Sequence, residues 1–378
     1  MKIALAQINT TTGDFESNFR KISDYVARAK NEGADFALFP ELALCGCIPK
    51  DKSARKNFIK SNEVYLAKLA ETIEIPAVVG CVRKSNEAIG AYNSLAWIEP
   101  KREIKFYDKH LLPNYGIFEE PRNFDVGSGV CIINFKGAKI GLSICEDIWA
   151  LDEATSPRYV KSERLVDTLA RENLDLFVNA SASLWSPENE SARSGLLPKV
   201  AKTVNAPFAY CNLIGGNDEF VCTGGSCVLD KSGNYCKILD KFTESLELVD
   251  LDKLSPCHVK PFDRIAELYE SLKMSLRDFV RKSGFKRVML GLSGGIDSAF
   301  VAALAADALG PENVLGFALP SKYSSTHSVK DAEDLAKNLG IKYDKISIAK
   351  LVDSAEEALS GVFAGTERDL TEENIQSR

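Results

Sequence analysis

Histidine, methionine and tryptophan are scarce, at three residues each in 378. With so few histidines, and no Cys-x-x-Cys spacing among ten cysteines, a structural zinc site is not expected. Cys45-Gly46-Cys47 is one residue too tight for either a redox or a zinc pair. No run of about 18 apolar residues occurs, so no transmembrane helix is expected. The chain opens Met1-Lys2-Ile3-Ala4-Leu5-Ala6-Gln7, straight into a strand-like run without a basic segment and cleavage site, so a secretory signal is not expected. Neither an internal repeat nor a low-complexity tract is found. Charge of one sign is also missing: 47 Lys+Arg stand against 53 Asp+Glu, a net charge of −6. That balance argues against nucleic acid or an anionic membrane as the main partner.

The rest of the composition is globular, 45% hydrophobic and 26% charged. The length exceeds what one core usually holds, so two domains are expected. Cys81, Cys131 and Cys211 sit in apolar strand-like runs, as reduced thiols do, and a cytoplasmic location is expected.

Periodicity predicts a strand at 2–9, a helix at 15–31, a strand at 35–40, a helix near 55–72 and a strand at 77–82. Strands follow at 92–99, 101–107, 130–135 and 139–145 with little helix between them. Helix 160–172, strand 175–180, helix 190–204, strand 207–212 and short strands near 226–230, 235–240 and 245–249 complete this part. Strands and helices in blocks suggest two sheets face to face with helices outside. Ser255-Pro256 and Lys260-Pro261 punctuate a linker at 251–262, separating a domain over 1–250 from one over 263–378. After the linker, helices at 263–283, 297–309, 327–339 and 349–360 alternate with strands at 287–292, 314–319 and 342–348. This is the pattern of a doubly wound parallel sheet. Three strands are fewer than such sheets usually use, so this domain is read as incomplete, and as less stable or completed by another chain.

Three polar residues fall at or just past strand ends, where reacting groups converge in α/β sheets: Glu41, Lys109 and Cys145. Taken singly, each has an ordinary reading as a cap neighbour, a rim charge or a core thiol. Their strings are Phe39-Pro40-Glu41-Leu42, Asp108-Lys109-His110-Leu111-Leu112-Pro113 and Leu142-Ser143-Ile144-Cys145-Glu146-Asp147. In this order they resemble the nitrilase, or carbon–nitrogen hydrolase, superfamily over roughly 1–250. The resemblance implies an αββα sandwich and a Glu–Lys–Cys triad. Cys145 would be the nucleophile, its thiolate favoured by Lys109; Glu41 would act as general base and acid. Glu120 matches a further family position that orients Lys109.

Leu290-Gly291-Leu292-Ser293-Gly294-Gly295-Ile296-Asp297-Ser298 joins a strand to a helix. Its glycines and successive N–H groups suit a phosphate, Ser293 and Ser298 add hydroxyls, and Asp297 can hold Mg²⁺ against ATP. A Gly-Lys-Ser/Thr string is lacking, so this is not a Walker A loop. It resembles the pyrophosphate loop of the N-type ATP pyrophosphatases, of the adenine nucleotide alpha hydrolase-like fold. Leu319-Pro320-Ser321-Lys322-Tyr323-Ser324-Ser325 and Thr371-Glu372-Glu373-Asn374-Ile375-Gln376-Ser377-Arg378 resemble NAD synthetases, where such loops hold ATP and the dinucleotide; Pro320, Tyr323, Ser324, Gln376 and Arg378 are the candidates here. The whole layout is similar to the glutamine-dependent NAD⁺ synthetase family. That implies glutamine, ATP and deamido-NAD⁺ as small-molecule partners, ligation with release of AMP and pyrophosphate, no tightly bound prosthetic group, and a homo-oligomer. Because the family's later synthetase motifs are not in this sequence, glutaminase activity and little or no ligation are expected. A free-standing amidase and a non-catalytic nucleotide-binding relic are the alternatives.

The resemblance also implies a glutamine pocket lined by Tyr115, Trp149, Ser181 and Ser183; the ordinary alternative is core packing for the aromatics and helix capping for the serines. The family's Gly-Lys/Arg after this segment is missing from Trp185-Ser186-Pro187-Glu188-Asn189-Glu190. Either Arg193, the nearest cation, meets the glutamine carboxylate, or affinity for glutamine is low.

Overall fold

A computed structural model describes residues 1–47, 49–151, 165–322, 324–365, 367, 370–371 and 374. It divides into two compact units, Met1–Ser271 and Leu272–Arg378.

The first unit opens with β1 (Lys2–Gln7), α1 (Phe15–Asn31), β2 (Phe36–Leu38), α2 (Lys56–Thr72), β3 (Ala77–Lys84), β4 (Ala91–Ile98) and β5 (Lys105–Asp108). It continues with β6 (Ile132–Phe135), β7 (Ala138–Ile144), α3 (Leu165–Ala170), β8 (Leu176–Ser181), α4 (Pro187–Val204) and β9 (Phe208–Asn212). A hairpin of β10 (Ile214–Asn217) and β11 (Phe220–Thr223) follows, then β12 (Cys227–Leu229), β13 (Tyr235–Ile238) and β14 (Ser245–Asp250).

Two six-stranded sheets result, with strand orders β14-β1-β2-β3-β4-β5 and β13-β12-β9-β8-β7-β6. Alternation along the strands sorts the side chains. Ile3, Leu5, Phe36, Leu38 and Val78 join residues of the second sheet in one core, while Ala4, Ala37, Ala77 and Val79 face α1 and α2. Small residues on the helix side and large ones between the sheets set the layers, and the αββα sandwich is the outcome. Helix α1 starts at Asp14, whose carboxylate caps the Ser17 N–H at 3.1 Å, and buries Ile22, Val26 and Ala29 at helical spacing.

Of the helix expected at 160–172, residues 160–164 lie outside the described residues and Leu165–Ala170 form α3; among the described residues the structure departs from the sequence reading at two further places near the site. The strand expected at 101–107 shortens to β5, because Lys101 turns in the left-handed region (φ 56°). The β10–β11 hairpin was not expected; Gly215-Gly216 interrupts the apolar alternation that marks a strand, and Asp218 at φ 57° makes the turn.

Helix α5 (Arg264–Lys282) contains the division between the units. The second unit has β15 (Val288–Gly291), α6 (Ile296–Leu309), β16 (Val314–Ala318), α7 (Thr326–Leu339), β17 (Lys342–Lys345) and α8 (Ala349–Leu359). The strands pair in parallel in the order β15-β16-β17, the sequential order of one wing of a doubly wound sheet. No helix among the described residues is long and apolar enough to cross a membrane.

Candidate active site

Glu41 follows β2 on backbone that runs directly over β3. A Cβ on Gly80 would lie 2.3 Å from the Pro40 carbonyl and 2.2 Å from the Leu42 nitrogen, so only glycine permits this approach. The Glu41 carboxylate is buried and fully engaged on one oxygen. Its Oε1 accepts from Lys109 Nζ and Asn93 Nδ2, each at 2.7 Å, and its Oε2 accepts from the Ala182 N–H at 2.8 Å.

Lys109 follows β5. Its N–H donates to the Asn93 carbonyl at 2.9 Å and its carbonyl accepts from the Gly127 N–H at 2.8 Å, which fixes the side chain's exit. The ammonium is buried between two carboxylates, with Glu120 Oε1 also at 2.9 Å. Burial alone would push Lys109 down, but the Glu120 and Glu41 charges outweigh it and hold the ammonium well above the usual lysine range. The same burial pushes the Glu120 carboxyl up to about 7, against the pull of Lys109.

Cys145 follows β7 directly and takes a positive φ of 41°, a strained conformation for a non-glycine residue. Neighbouring contacts hold it there. Asp147 accepts from the Ile144 N–H at 2.9 Å, and Asn179 Nδ2 donates to the Cys145 carbonyl at 3.4 Å. Asp147 also accepts from Tyr107 Oη at 2.7 Å and from the His110 and Leu111 N–H groups at 3.0 and 2.9 Å. One buried carboxylate therefore fastens the turn carrying Cys145 to the segment carrying Lys109.

The sequence reading has Lys109 favouring a thiolate. Lys109 does pull the thiol down, but burial first, then the Glu41 charge, push it well above the ordinary cysteine range. One ammonium shared by two carboxylates leaves no net positive charge for the sulfur. Cys145 rests as a thiol.

Around this group, Tyr115 Oη donates to Glu146 Oε1 at 2.5 Å, and Trp149 is half-buried in the 3₁₀ turns Cys145–Leu151. Ser181 Oγ donates to Asn179 Oδ1 at 2.8 Å, and the Ser183 N–H donates to Asn212 Oδ1 at 2.9 Å. Both serine hydroxyls face the buried phenol of Tyr210; burial pushes that phenol up, while Arg193 and the two hydroxyls act the other way. Arg193 reaches this wall from α4. Its Cζ lies 5.7 Å from the Tyr210 ring centroid, and its Nη2 donates to Glu190 Oε1 at 2.5 Å. Arg193 Nη1 and Tyr210 Oη are buried without a hydrogen-bond partner among the described residues. Arg193 thus reaches the Tyr210 ring with Nη2 paired to Glu190.

Asn93, Asp147 and Tyr210 are the residues that sequence reasoning missed. Asp147 stands in the Cys145 string and Asn93 in the β4 run, but neither carries a local signal of its contacts.

In the second unit, the turn from β15 to α6 forms a loop closed on itself. Ser298 Oγ accepts from the Ser293 N–H at 3.2 Å and donates to the Gly295 carbonyl at 3.1 Å; Ser293 Oγ accepts from the Gly295 N–H at 3.2 Å. A cavity of about 440 Å³ opens beside it, lined in part by Gly291, Ser293, Pro320, Ser324, Ser325 and Ser328. Gly294, Gly295 and Asp297 are exposed at the loop and the first turn of α6. Tyr323, Gln376 and Arg378 lie outside the described residues.

An αββα sandwich holding a buried glutamate, lysine and cysteine at its strand ends defines a nitrilase-type carbon–nitrogen hydrolase unit, here followed by a nucleotide-loop α/β unit. Comparison with known proteins agrees. The carbon-nitrogen hydrolase family matches residues 2–255, and the NAD synthase family matches 268–378. The chain is 36% identical to the glutamine-dependent NAD(+) synthetase of Thermotoga maritima and 38% identical to that of Synechocystis sp.. In both cases all of this chain and 70% of the relative are covered. A solved glutamine-dependent NAD+ synthetase from Acinetobacter baumannii, in complex with adenosine diphosphate, superposes with a TM-score of 0.88 at 35% identity, over 99% of this chain and 70% of that one. An amidase from Nesterenkonia sp. AN1, solved with the acetamide moiety of fluoroacetamide added at its active site cysteine, superposes with a TM-score of 0.56 at 25% identity, over 66% of this chain and 90% of that one. The chain belongs to the glutamine-dependent NAD⁺ synthetase family.

Proposed function

We propose that Cys145, Glu41 and Lys109 hydrolyse glutamine, and that the ammonia released amidates deamido-NAD⁺ in an ATP-dependent step carried by the second unit. The observation that carries the first half is the Lys109 ammonium, buried between Glu41 and Glu120 and tied through Asp147 to the turn of Cys145. Withdrawing an ammonium and two carboxylates from water costs desolvation free energy that their pairing offsets, and charge fixed this way at strand ends is preorganised to meet charge that develops in a reaction.

Because the thiol is protonated at rest, attack requires a base. Glu41 Oε2 accepts only the Ala182 N–H among the described residues, which leaves a lone pair for the thiol proton. The sulfur attacks the carboxamide carbon, and the resulting oxyanion is met by Lys109 Nζ and the Glu146 N–H. Glu41 returns the proton to the nitrogen, ammonia leaves, and a thioester remains. Water deprotonated by Glu41 then attacks the thioester, expelling the Cys145 sulfur, which recovers its proton, and glutamate departs. Glu120 keeps Lys109 aimed between the two steps. Tyr115, Trp149, Ser181 and Ser183 line the glutamine pocket in this reading. The unpartnered Arg193 Nη1 and Tyr210 Oη are donors suited to the glutamine carboxylate.

Gly291, Ser293, Gly294, Gly295 and Ser298 cradle the ATP phosphates, with Pro320 and Ser324 on the cavity wall; Tyr323, Gln376 and Arg378 complete the set by resemblance. Mg²⁺ arrives with ATP as its counter-ion, and Asp297 is the carboxylate that would face it. Among the described residues no group of three His, Cys, Asp or Glu is placed to hold a metal alone. The domain division at 251–262, a reducing cytoplasm and a homo-oligomer belong to the same reading. Ten free cysteines support the compartment, and exposed Phe285, Met289 and Ile296 support a second copy.

The experiment is covalent trapping by a glutamine-mimicking electrophile, mapped by peptide mass spectrometry, alongside ammonia release from glutamine. Label on Cys145, together with loss of turnover of about a thousandfold or more in Glu41→Gln, is the expected result. Ammonia release that survives in Cys145→Ala would refute it.

A further inference from the structure

A ladder of alternating charges runs away from the glutamine-cleaving site. Glu190 on α4 takes Arg193 Nη2 on one oxygen and Lys241 Nζ on the other, each at 2.5 Å. Lys241 Nζ also donates to both oxygens of Glu267 at 2.7 and 2.8 Å, and Glu267 Oε2 accepts from Trp185 Nε1 at 3.1 Å. The Arg193 and Glu190 side chains are only 7% and 6% exposed, Lys241 26% and Glu267 15%. Four charges are thus withdrawn from water in compensated pairs, although a helix start needs no such device merely to be held on a surface.

The far end of the ladder is Glu267, in the first turns of α5. The near end is Arg193, against Tyr210 and the wall of Ser181 and Ser183. A cavity of about 760 Å³ lies alongside, lined among others by Glu190, Arg193, Lys241, Phe262 and Glu267, so these side chains have room to shift. We propose that Glu267 is a positioning residue for glutamine binding, acting through Lys241 and Glu190 on Arg193. This inference rests on the glutaminase reading above. The physical reason is competition. With Glu267 present, Lys241 divides its donors between two acids, and Glu190 keeps Arg193 turned with Nη1 free. Without the Glu267 charge, Lys241 turns wholly to Glu190 and displaces Arg193 from its set orientation.

The test is steady-state glutaminase kinetics of the full chain with Glu267→Gln, which keeps the Trp185 acceptor but removes the charge, in the wild-type and Arg193→Ala backgrounds. Arg193→Lys replaces Arg193→Ala if the latter does not fold. The expected result is a KM for glutamine raised about fivefold or more with kcat within about twofold, and no further rise once Arg193 is replaced. An unchanged KM overturns the proposal. So does an equal rise in both backgrounds accompanied by a lower Tm, which is the mark of a simple structural pin. An inactive wild-type chain would remove the glutaminase reading and this inference together; an active one with normal KM in Glu267→Gln removes this inference alone.

Discussion

One acid at the cysteine site, Glu120, carries a pH signature of its own. Glu120 is raised to about 7 by burial, against an ordinary value of 4.5. Between those pH values the folded chain keeps a proton that the unfolded chain has released. Stability therefore falls as pH rises from about 4.5 to about 7 and levels off above. Glu120→Gln lacks this titration, so the wild-type minus variant stability, from urea denaturation at pH 5 and pH 8, should drop across the window. A constant difference would show that Glu120 is not raised. Cys145 offers a second check. As a resting thiol, its alkylation by iodoacetamide, followed on its own peptide, should climb with pH up to about 9 without a plateau. A plateau reached near pH 7 would mean a resting thiolate and would remove the need for Glu41 as base. Glu41, Lys109 and Cys145 were legible because each stands in a string that is distinctive along the chain. Asp147 was not: its four donors come from Tyr107, His110, Leu111 and Ile144, and only the last is near in sequence.

At the scale of elements, the turn between β15 and α6 depends on one glycine. Gly294 has φ 81°, and a Cβ there would sit 2.5 Å from the Ser328 carbonyl oxygen at the start of α7. Both the backbone angle and the space demand glycine. Gly294→Ala should weaken ATP binding about tenfold or more in equilibrium titration, with the first unit's glutaminase turnover unchanged. Unchanged ATP affinity would mean that the loop is not the phosphate cradle. The loop itself could be read directly, since Ser-Gly-Gly-x-Asp-Ser is a local string at a strand–helix junction. The β10–β11 hairpin could not, because its pairing of Ile214 with Thr223 is set by the partner strand rather than by alternation within either segment.

For the molecule as a whole, the cores of the two units are unequal. The first unit buries Phe, Trp, Leu and Ile between and outside two sheets, while the second relies on Ala302, Ala305, Ala306, Ala332 and Ala336 with few large side chains. Alanines remove little apolar area from water, so the second unit has less to stabilise it. Scanning calorimetry should resolve two transitions, the lower one belonging to residues 272–378 and rising in temperature with added ATP. A single cooperative transition would contradict this. The sequence by itself determined the layers, the parallel run of the second unit's strands and the three residues proposed to react, because period, punctuation and short strings are properties of neighbouring residues. Only the tertiary structure decided the charge state of the thiol, the clamp at Asp147 and the place of Arg193 beside Tyr210. Those depend on which distant strands and helices share a buried space, and in that space distance and desolvation, not sequence order, set the energies.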